Sequence, residues 1–569
     1  MTRKTIKAIS SQKNQKEIFS ALQLAGSVLL LACSVLLVGY YILFPSRGYF
    51  HSDTTDTIMW AEASYDAGKL FNQDFSYACL LPFGTSLIMT ALIPVTGVSM
   101  TTHIIGMLIF FLLFTGSLIL MLRQMKWNWG WISVAVFCEL MICSGSEKLR
   151  EIFWGHTIYY SLGVCFLFQG LGLLFRQMEI REKAENASEE QQKQYQIHFV
   201  LCTAGICLLF LLTGMNQISA ITIFSLPMMG AVFCERWFDG KTKLLSERNL
   251  YAVILLAIMG TATAGGYFLT NALSAGITAD YAEAYSTYSE IDQWESHLRL
   301  FPAAYFSLLG VEVSGKDAMM SGKSVLTLLT VVMGVLMQIL PLIALFFWNE
   351  IKEAKLKILL LAYWFMTLLI MMGYVLGRLS AANWRLSPIA AMSAVVSTAF
   401  LRWAFQQRKW QRLAVLLLLP ALLVSTVHAG ELFCMPADNT ARSDLYMLSE
   451  ELEKRNLSYG YATFWRANAL TIISDSKVKC RMIEPCESGF YIKEYQCNQH
   501  WYENQPNQEK YFVLLSAQEA NDIRQILENF SPQRLEAIEE IENYTTLSKQ
   551  HSEISVGSYE IWVFNENIF

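Results

Sequence analysis

The sequence predicts a polytopic α-helical membrane protein of about eleven spans, with a small α/β domain after the last of them. Three observations predict it. Of the 569 residues 54% are hydrophobic and only 16% charged, and the mean hydropathy is +0.33, outside the range of a soluble globule. The apolar residues gather into runs long enough to cross a hydrocarbon core of ~30 Å at ~1.5 Å per residue. From residue 431 onward the character changes: acidic residues outnumber basic ones by 22 to 12, and short helical and strand patterns alternate.

Taken in order, residues 1–21 are a basic segment carrying Arg3, Lys4, Lys7, Lys13 and Lys16, which the positive-inside rule keeps in the cytoplasm. The membrane region, 22–430, holds apolar runs at 22–44, 100–122, 130–146, 157–176, 198–214, 217–235, 251–275, 322–348, 357–377, 388–405 and 413–430. Residues 84–97 are shorter and broken by Pro94 and Gly97, as in a re-entrant or interfacial segment. The first run is too long for a signal-peptide core and lacks a small-residue cleavage site, so it is expected to be retained. Alternation places Arg123/Lys126, Arg176/Arg181/Lys183/Lys193, Arg236/Lys241/Lys243/Arg248, Lys352/Lys355/Lys357 and Arg402/Arg408/Lys409/Arg412 inside. The loops 45–99 and 276–321 and the domain 431–569 then lie outside a cell membrane. In that domain a helix is expected over 443–457, strands over 459–463, 477–483, 511–515 and 559–564, and a helix opened by Ser516 with Glu519 three residues on. Cys434, Cys480, Cys486 and Cys497, with Cys79 in the first loop, are candidates for disulfides on the outside.

The chemistry concentrates where the first run ends. Asp53 and Asp56 stand at i and i+3 within roughly a turn of the membrane exit, so a helix would bring them to one face. The bland alternative is that they complement the positive end of the following helix. Glu139 is a lone carboxylate in mid-span, expected to be functional or protonated and bonded to a neighbouring helix. In 276–321, Asp280, Glu283, Glu290, Asp292 and Glu295 alternate with Tyr281, Tyr285, Tyr288 and Trp294, a pattern that fits either sugar binding or an interfacial belt. Trp127, Trp129 and Trp131 read as such a belt.

The first loop resembles that of the GT-C superfamily of membrane glycosyltransferases, of the protein O-mannosyltransferase and aminoarabinose-transferase type (family 39-type). Asp53, Ala61, Ala63, Tyr65, Gly68, Asp74, Tyr77 and Pro82 follow the family's rhythm, and Gly97-Val98-Ser99 resembles its Gly-x-Asn/Ser step. The family's usual Asp-Glu pair is Asp53-Thr54 here, so the second carboxylate is Asp56. In the loop 147–156, Arg150 matches a family Arg, while the acidic position that follows is taken by His156 or displaced to Glu151. In 378–388, Arg385 and Pro388 match the family's Arg-aromatic-Pro segment, with Trp384 out of order.

The resemblance implies a GT-C-like fold and transfer of a sugar from a polyprenyl-phosphate donor to a hydroxyl of an envelope glycan, lipid or protein, outside the cytoplasmic membrane of a bacterium. Asp53 would be the general base, with inversion at the anomeric carbon. Arg385, and after it Arg378 or Arg150, would meet the phosphate, because a guanidinium forks onto two oxygens. No cofactor is then required, although Asp53 with Asp56 could hold a divalent cation. Membrane lipid is an expected partner and nucleic acid is not. The main rival is a transporter or flippase of a lipid-linked glycan, which would show several mid-membrane ionisable positions and repeated halves. Glu139 is the one clear mid-span acid and there is no repeat.

Overall fold

The computed structural model describes residues 3–185, 187–237, 247–277, 287–316, 318–378, 382–486, 489–528 and 551–569. Helix α1 (Arg3–Leu43) carries the first apolar span and runs into two 3-10 turns, Pro45–Tyr49 and Ser52–Thr55. These turn the chain into α2 (Asp56–Ala67), which stops at Gly68 in the left-handed region, φ +60°. A two-residue strand β1 (Phe75–Ser76) and the short apolar helix α3 (Thr85–Thr96) complete the first loop. Helix α4 (Met100–Gln124) starts at Ser99, whose hydroxyl accepts from Thr102 N at 3.2 Å.

Helix α5 (Trp129–Ile142) is too short to cross alone. The expected span 130–146 instead breaks, and the chain bends by 109° into Glu147–Gly155, made of α6 (Glu147–Arg150) and a π-helical turn. The break falls at Ser144-Gly145-Ser146, where the Ser146 hydroxyl caps the new helix by accepting from Leu149 N at 3.1 Å. Then follow α7 (Tyr159–Ala184), α8 (Glu189–Gly214), α9 (Gln217–Ala220) and α10 (Leu226–Trp237), the last two joined by a π turn into one span. Helices α11 (Glu247–Leu273), α12 (Trp294–Leu308), α13 (Gly322–Phe346), α14 (Ala354–Leu376), α15 (Ser387–Gln406) and α16 (Gln411–Cys434) finish the region. Among the described residues ten helices are long and apolar enough to cross a membrane, and the bent pair makes up to eleven. Helix α15 is the axis of the bundle, with 94% of its apolar stretch buried. Helices α8 and α11 approach through glycine: a Cβ on Gly266 would lie 2.0 Å from Leu211 O.

Beyond α16 comes a sheet domain: α17 (Asp444–Lys454), β2 (Tyr459–Ala462), α18 (Ala467–Ile473), β3 (Lys479–Cys486), β4 (Gly489–Ile492), β5 (Cys497–Asn498), β6 (Tyr511–Ser516), α19 (Ala517–Glu528), β7 (His551–Val556) and β8 (Tyr559–Phe564). Its six-stranded sheet has the order β4-β3-β2-β6-β8-β7, with β2 parallel to β3 and β6 and the other pairs antiparallel. The capping box at Ser516 and Glu519 forms in both directions, at 2.7 and 3.2 Å. The domain rests on the end of α1 and the first loop: Tyr40 donates its hydroxyl to Met435 O at 2.7 Å, and Ser52 donates to Phe464 O.

Three sequence expectations are corrected, and a fourth, the acidic and aromatic pattern of 276–321, is only partly described. Cys79, Cys434, Cys480 and Cys497 carry free thiols; Cys480 and Cys497 lie buried in separate apolar clusters and Cys434 sits at the exposed end of α16. Trp127 does not belong to an interfacial belt, because it is buried beneath the Arg402 guanidinium, 5.1 Å from its ring centre. Glu139 finds its partner on its own helix, accepting from the Cys143 thiol at 3.6 Å, not on a neighbour. In 276–321, Asp280, Tyr281, Glu283 and Tyr285 lie outside the described residues, while Tyr288, Glu290, Asp292 and Glu295 are exposed.

Candidate active site

Asp53 lies in the 3-10 turn Ser52–Thr55 and is half-buried; Asp56 is the first residue of α2 and is buried. The turn is held on both sides. His51 N donates to the Thr54 hydroxyl at 3.0 Å, and Ser52 is tied to the C-terminal domain through Phe464. Across from it, the bent segment Glu147–Gly155 ends in His156, which is buried and whose Nδ1 donates to the Asp53 carbonyl at 2.9 Å. A carbonyl can only accept, so Nδ1 carries the proton. Nε2 is left as an acceptor, buried and without a hydrogen bond. Burial holds the His156 imidazole below its ordinary range despite the nearby Glu151 and Asp53 charges. Glu151 is fixed between Lys148 Nζ at 2.6 Å and His51 Nε2 at 3.6 Å. The first and second loops thus bring Asp53, Asp56, Glu151 and His156 to one place.

Asp56 is the electrostatic centre of that group. Burial, joined by the like charge of Asp53, pushes its carboxyl well above the usual carboxylate range, and the Gln496 amide opposes the shift. Asp56 is also the first residue of α2, where an acid complements the positive end of the helix. The Cys79 thiol is within Coulombic reach of Asp56, and burial raises it. Tyr159 and Tyr160, at the start of α7, stand next to Cys79 on one side and Arg385 on the other. Arg385 comes from the 3-10 turn Asn383–Leu386 ahead of α15, where its Nη1 donates to Gly373 O at 3.1 Å. The guanidinium is within electrostatic reach of the tyrosine pair.

The remaining arginines stand apart. Arg150 is buried, donates Nη1 to Ser144 O at 2.8 Å, and packs its guanidinium over Tyr41 and Tyr49 at 5.7 and 5.6 Å. Arg378 is exposed, and its backbone N donates to Thr287 O at 3.1 Å, tying the chain at Thr287 to the end of α14. Beside the Asp53 turn opens a narrow cleft with about 30 Å³ of water-sized space, lined by Tyr49, His51, Thr54, Glu147, Glu151 and Trp154 among others. Among the described residues no group of three or more His, Cys, Asp or Glu is placed to hold a metal ion.

No family model matches the sequence, and no curated protein matches it. Seven chains among the solved structures are similar, one of them in the crystal structure of ArnT from Cupriavidus metallidurans bound to undecaprenyl phosphate. The two chains are 10% identical, with a TM-score of 0.47, over 95% of this chain and 98% of that one.

Sequence reasoning missed Trp60, Cys79, Tyr160 and Gln496. Tyr159-Tyr160 at the mouth of a span was a usable signal. Gln496 had none, since a glutamine in a polar stretch of another domain looks like solvated surface.

Proposed function

We propose that this chain is a GT-C-like membrane glycosyltransferase that moves a sugar from a polyprenyl-phosphate donor to an acceptor hydroxyl at the face where Asp53 lies. The observation that carries this reading is the carboxylate pair Asp53 and Asp56, set where α1 ends and met there by His156 and Glu151 from the second loop. Burial favours the protonated form of Asp56, and Asp53 is the more exposed of the two. Asp53 takes the acceptor proton as the oxygen attacks the anomeric carbon, with inversion. The polyprenyl phosphate leaves with its negative charge matched by Arg385, whose planar fork suits phosphate oxygens. Face, donor and acceptor class rest on the loop-charge pattern and on the residues of the first loop that resemble the family.

The test is donor consumption. Purified full-length protein and its Asp53→Asn variant are incubated with a panel of radiolabelled polyprenyl-phosphate sugars and candidate envelope acceptors. Wild type is expected to release polyprenyl phosphate, and the variant to do so roughly 10²- to 10⁴-fold more slowly. Full activity in the variant contradicts the assignment. If neither protein consumes a donor while liposomes containing wild type translocate a lipid-linked glycan, the transporter reading replaces this one.

A further inference from the structure

The C-terminal domain sends a buried side chain against α2. Strand β5 pairs antiparallel with β1, matching Phe75 to Asn498 and Ser76 to Cys497, and Gln499 N donates to Asp74 O at 3.0 Å. This two-stranded join sets the residue just before β5 against α2. That residue is Gln496. It is 1% exposed, its backbone is held in the left-handed region at φ +50°, and its carbonyl accepts from Asn468 Nδ2 at 3.2 Å. Its side-chain Oε1 accepts from Trp60 Nε1 at 2.8 Å. Trp60 lies one turn after Asp56 on the same face of α2.

A planar amide whose oxygen is pinned has its nitrogen aimed as well. Nε2 of Gln496 is buried, makes no hydrogen bond of ordinary length, and lies near enough to the Asp56 carboxyl to favour its charged form. A buried donor left unbonded beside a carboxyl group is costly unless the site uses it. The other groups that face Asp56 are Asp53 from the preceding turn and the Cys79 thiol, with Tyr160 and Arg385 behind Cys79.

We propose that Gln496 is a positioning residue of this active site: Trp60 fixes its oxygen, and its amide nitrogen clamps Asp56 whenever that carboxyl is charged. The inference rests on the reading that Asp53 and Asp56 carry the chemistry. An amide does not titrate, so it orders the carboxylate and favours its charged form without bringing a proton of its own. Without the donor, Asp56 keeps its proton to higher pH.

The test uses full-length protein with Gln496→Met, which keeps the volume and removes the amide, and Trp60→Phe, which frees the amide oxygen. Two readouts are compared. One is the pH profile of donor turnover. The other needs no substrate: the thermal midpoint of each protein against pH, relative to its Asp56→Asn counterpart. In both, the Asp56 inflection is expected to move upward by about one pH unit in Gln496→Met, a tenfold change in protonation ratio. Trp60→Phe should move it less, and the double variant no further than Gln496→Met, with the donor KM within about twofold of wild type. An unmoved inflection in folded Gln496→Met, or in Trp60→Phe if the former does not fold, overturns the clamp. Displacement of the stability inflection without turnover by any protein supports the clamp and sinks the glycosyltransferase reading. Turnover lost on Asp53→Asn with an unmoved Asp56 inflection does the reverse.

Discussion

Asp56 is a carboxyl group that the fold has taken almost wholly out of water. Burial holds it well above the ordinary carboxylate range, so its proton is bound more tightly in the folded chain than in the unfolded one. The linkage sign follows. Such a group adds stability below its unfolded pKa, and that stability is lost as pH rises through the folded pKa. Asp56→Asn, which cannot ionise, is therefore expected to gain on wild type as pH climbs above the ordinary carboxylate range, read as the difference between thermal midpoints at each pH. Parallel curves for the two proteins would contradict the buried, shifted carboxyl. Asp53 and Asp56 were legible in the sequence because they are charges crowded against the end of an apolar run. Their unequal burial was not, because nothing in 45–99 announces that a distant domain covers one of them and leaves the other half-open. Arg150 shows the converse: the family pattern singled it out, yet its place is set by Tyr41, Tyr49 and the Ser144 carbonyl.

Helix α2 does its work on two sides. Asp56 and Trp60 face the site, while Glu62 meets Arg481 of β3, with Nη2 to Oε1 at 3.9 Å and the guanidinium stacked 3.6 Å from the centre of the Trp501 ring. Both members of this ion pair are buried. Burial raises the Glu62 carboxyl, and the Arg481 charge works against that rise. Arg481→Met leaves the acid without its partner and is expected to cost about 3 kcal/mol in thermal or denaturant unfolding, with much of the loss recovered when Glu62→Gln is added. Equal losses in the single and double variants would mean that the packing on Trp501, not the charge pair, is what matters. At this scale the sequence read well wherever length and hydropathy decide, as in the spans from α7 to α16 and in β2, β6 and β8. It read poorly where decisions are local or cross-domain. The bend after α5 depends on the Ser146 cap, β1 and β5 are two-residue strands that exist only by pairing with each other, and β7 is an edge strand with no fully buried residue.

The molecule as a whole is a helical bundle whose first and last parts meet. Helix α1 delivers the first loop to the C-terminal domain, and we propose, from loop charge and a count of eleven crossings, that the basic N-terminus lies on the other side of the membrane. Tags at the two ends of the intact chain are expected to respond oppositely to protease added outside sealed cells, the C-terminal tag being cleaved and the N-terminal one protected. Cleavage of both, or of the N-terminal tag alone, would reject the orientation drawn from loop charge. The contact between Trp60 and Gln496 spans 436 positions of sequence. At ~5–20 residues per second of synthesis, loop one waits roughly 20–90 s for its partner. A half-made chain already inserted in the bilayer therefore owns both aspartates and yet lacks the groups that cover and aim one of them, which makes completion of the polypeptide itself the event that arms the site.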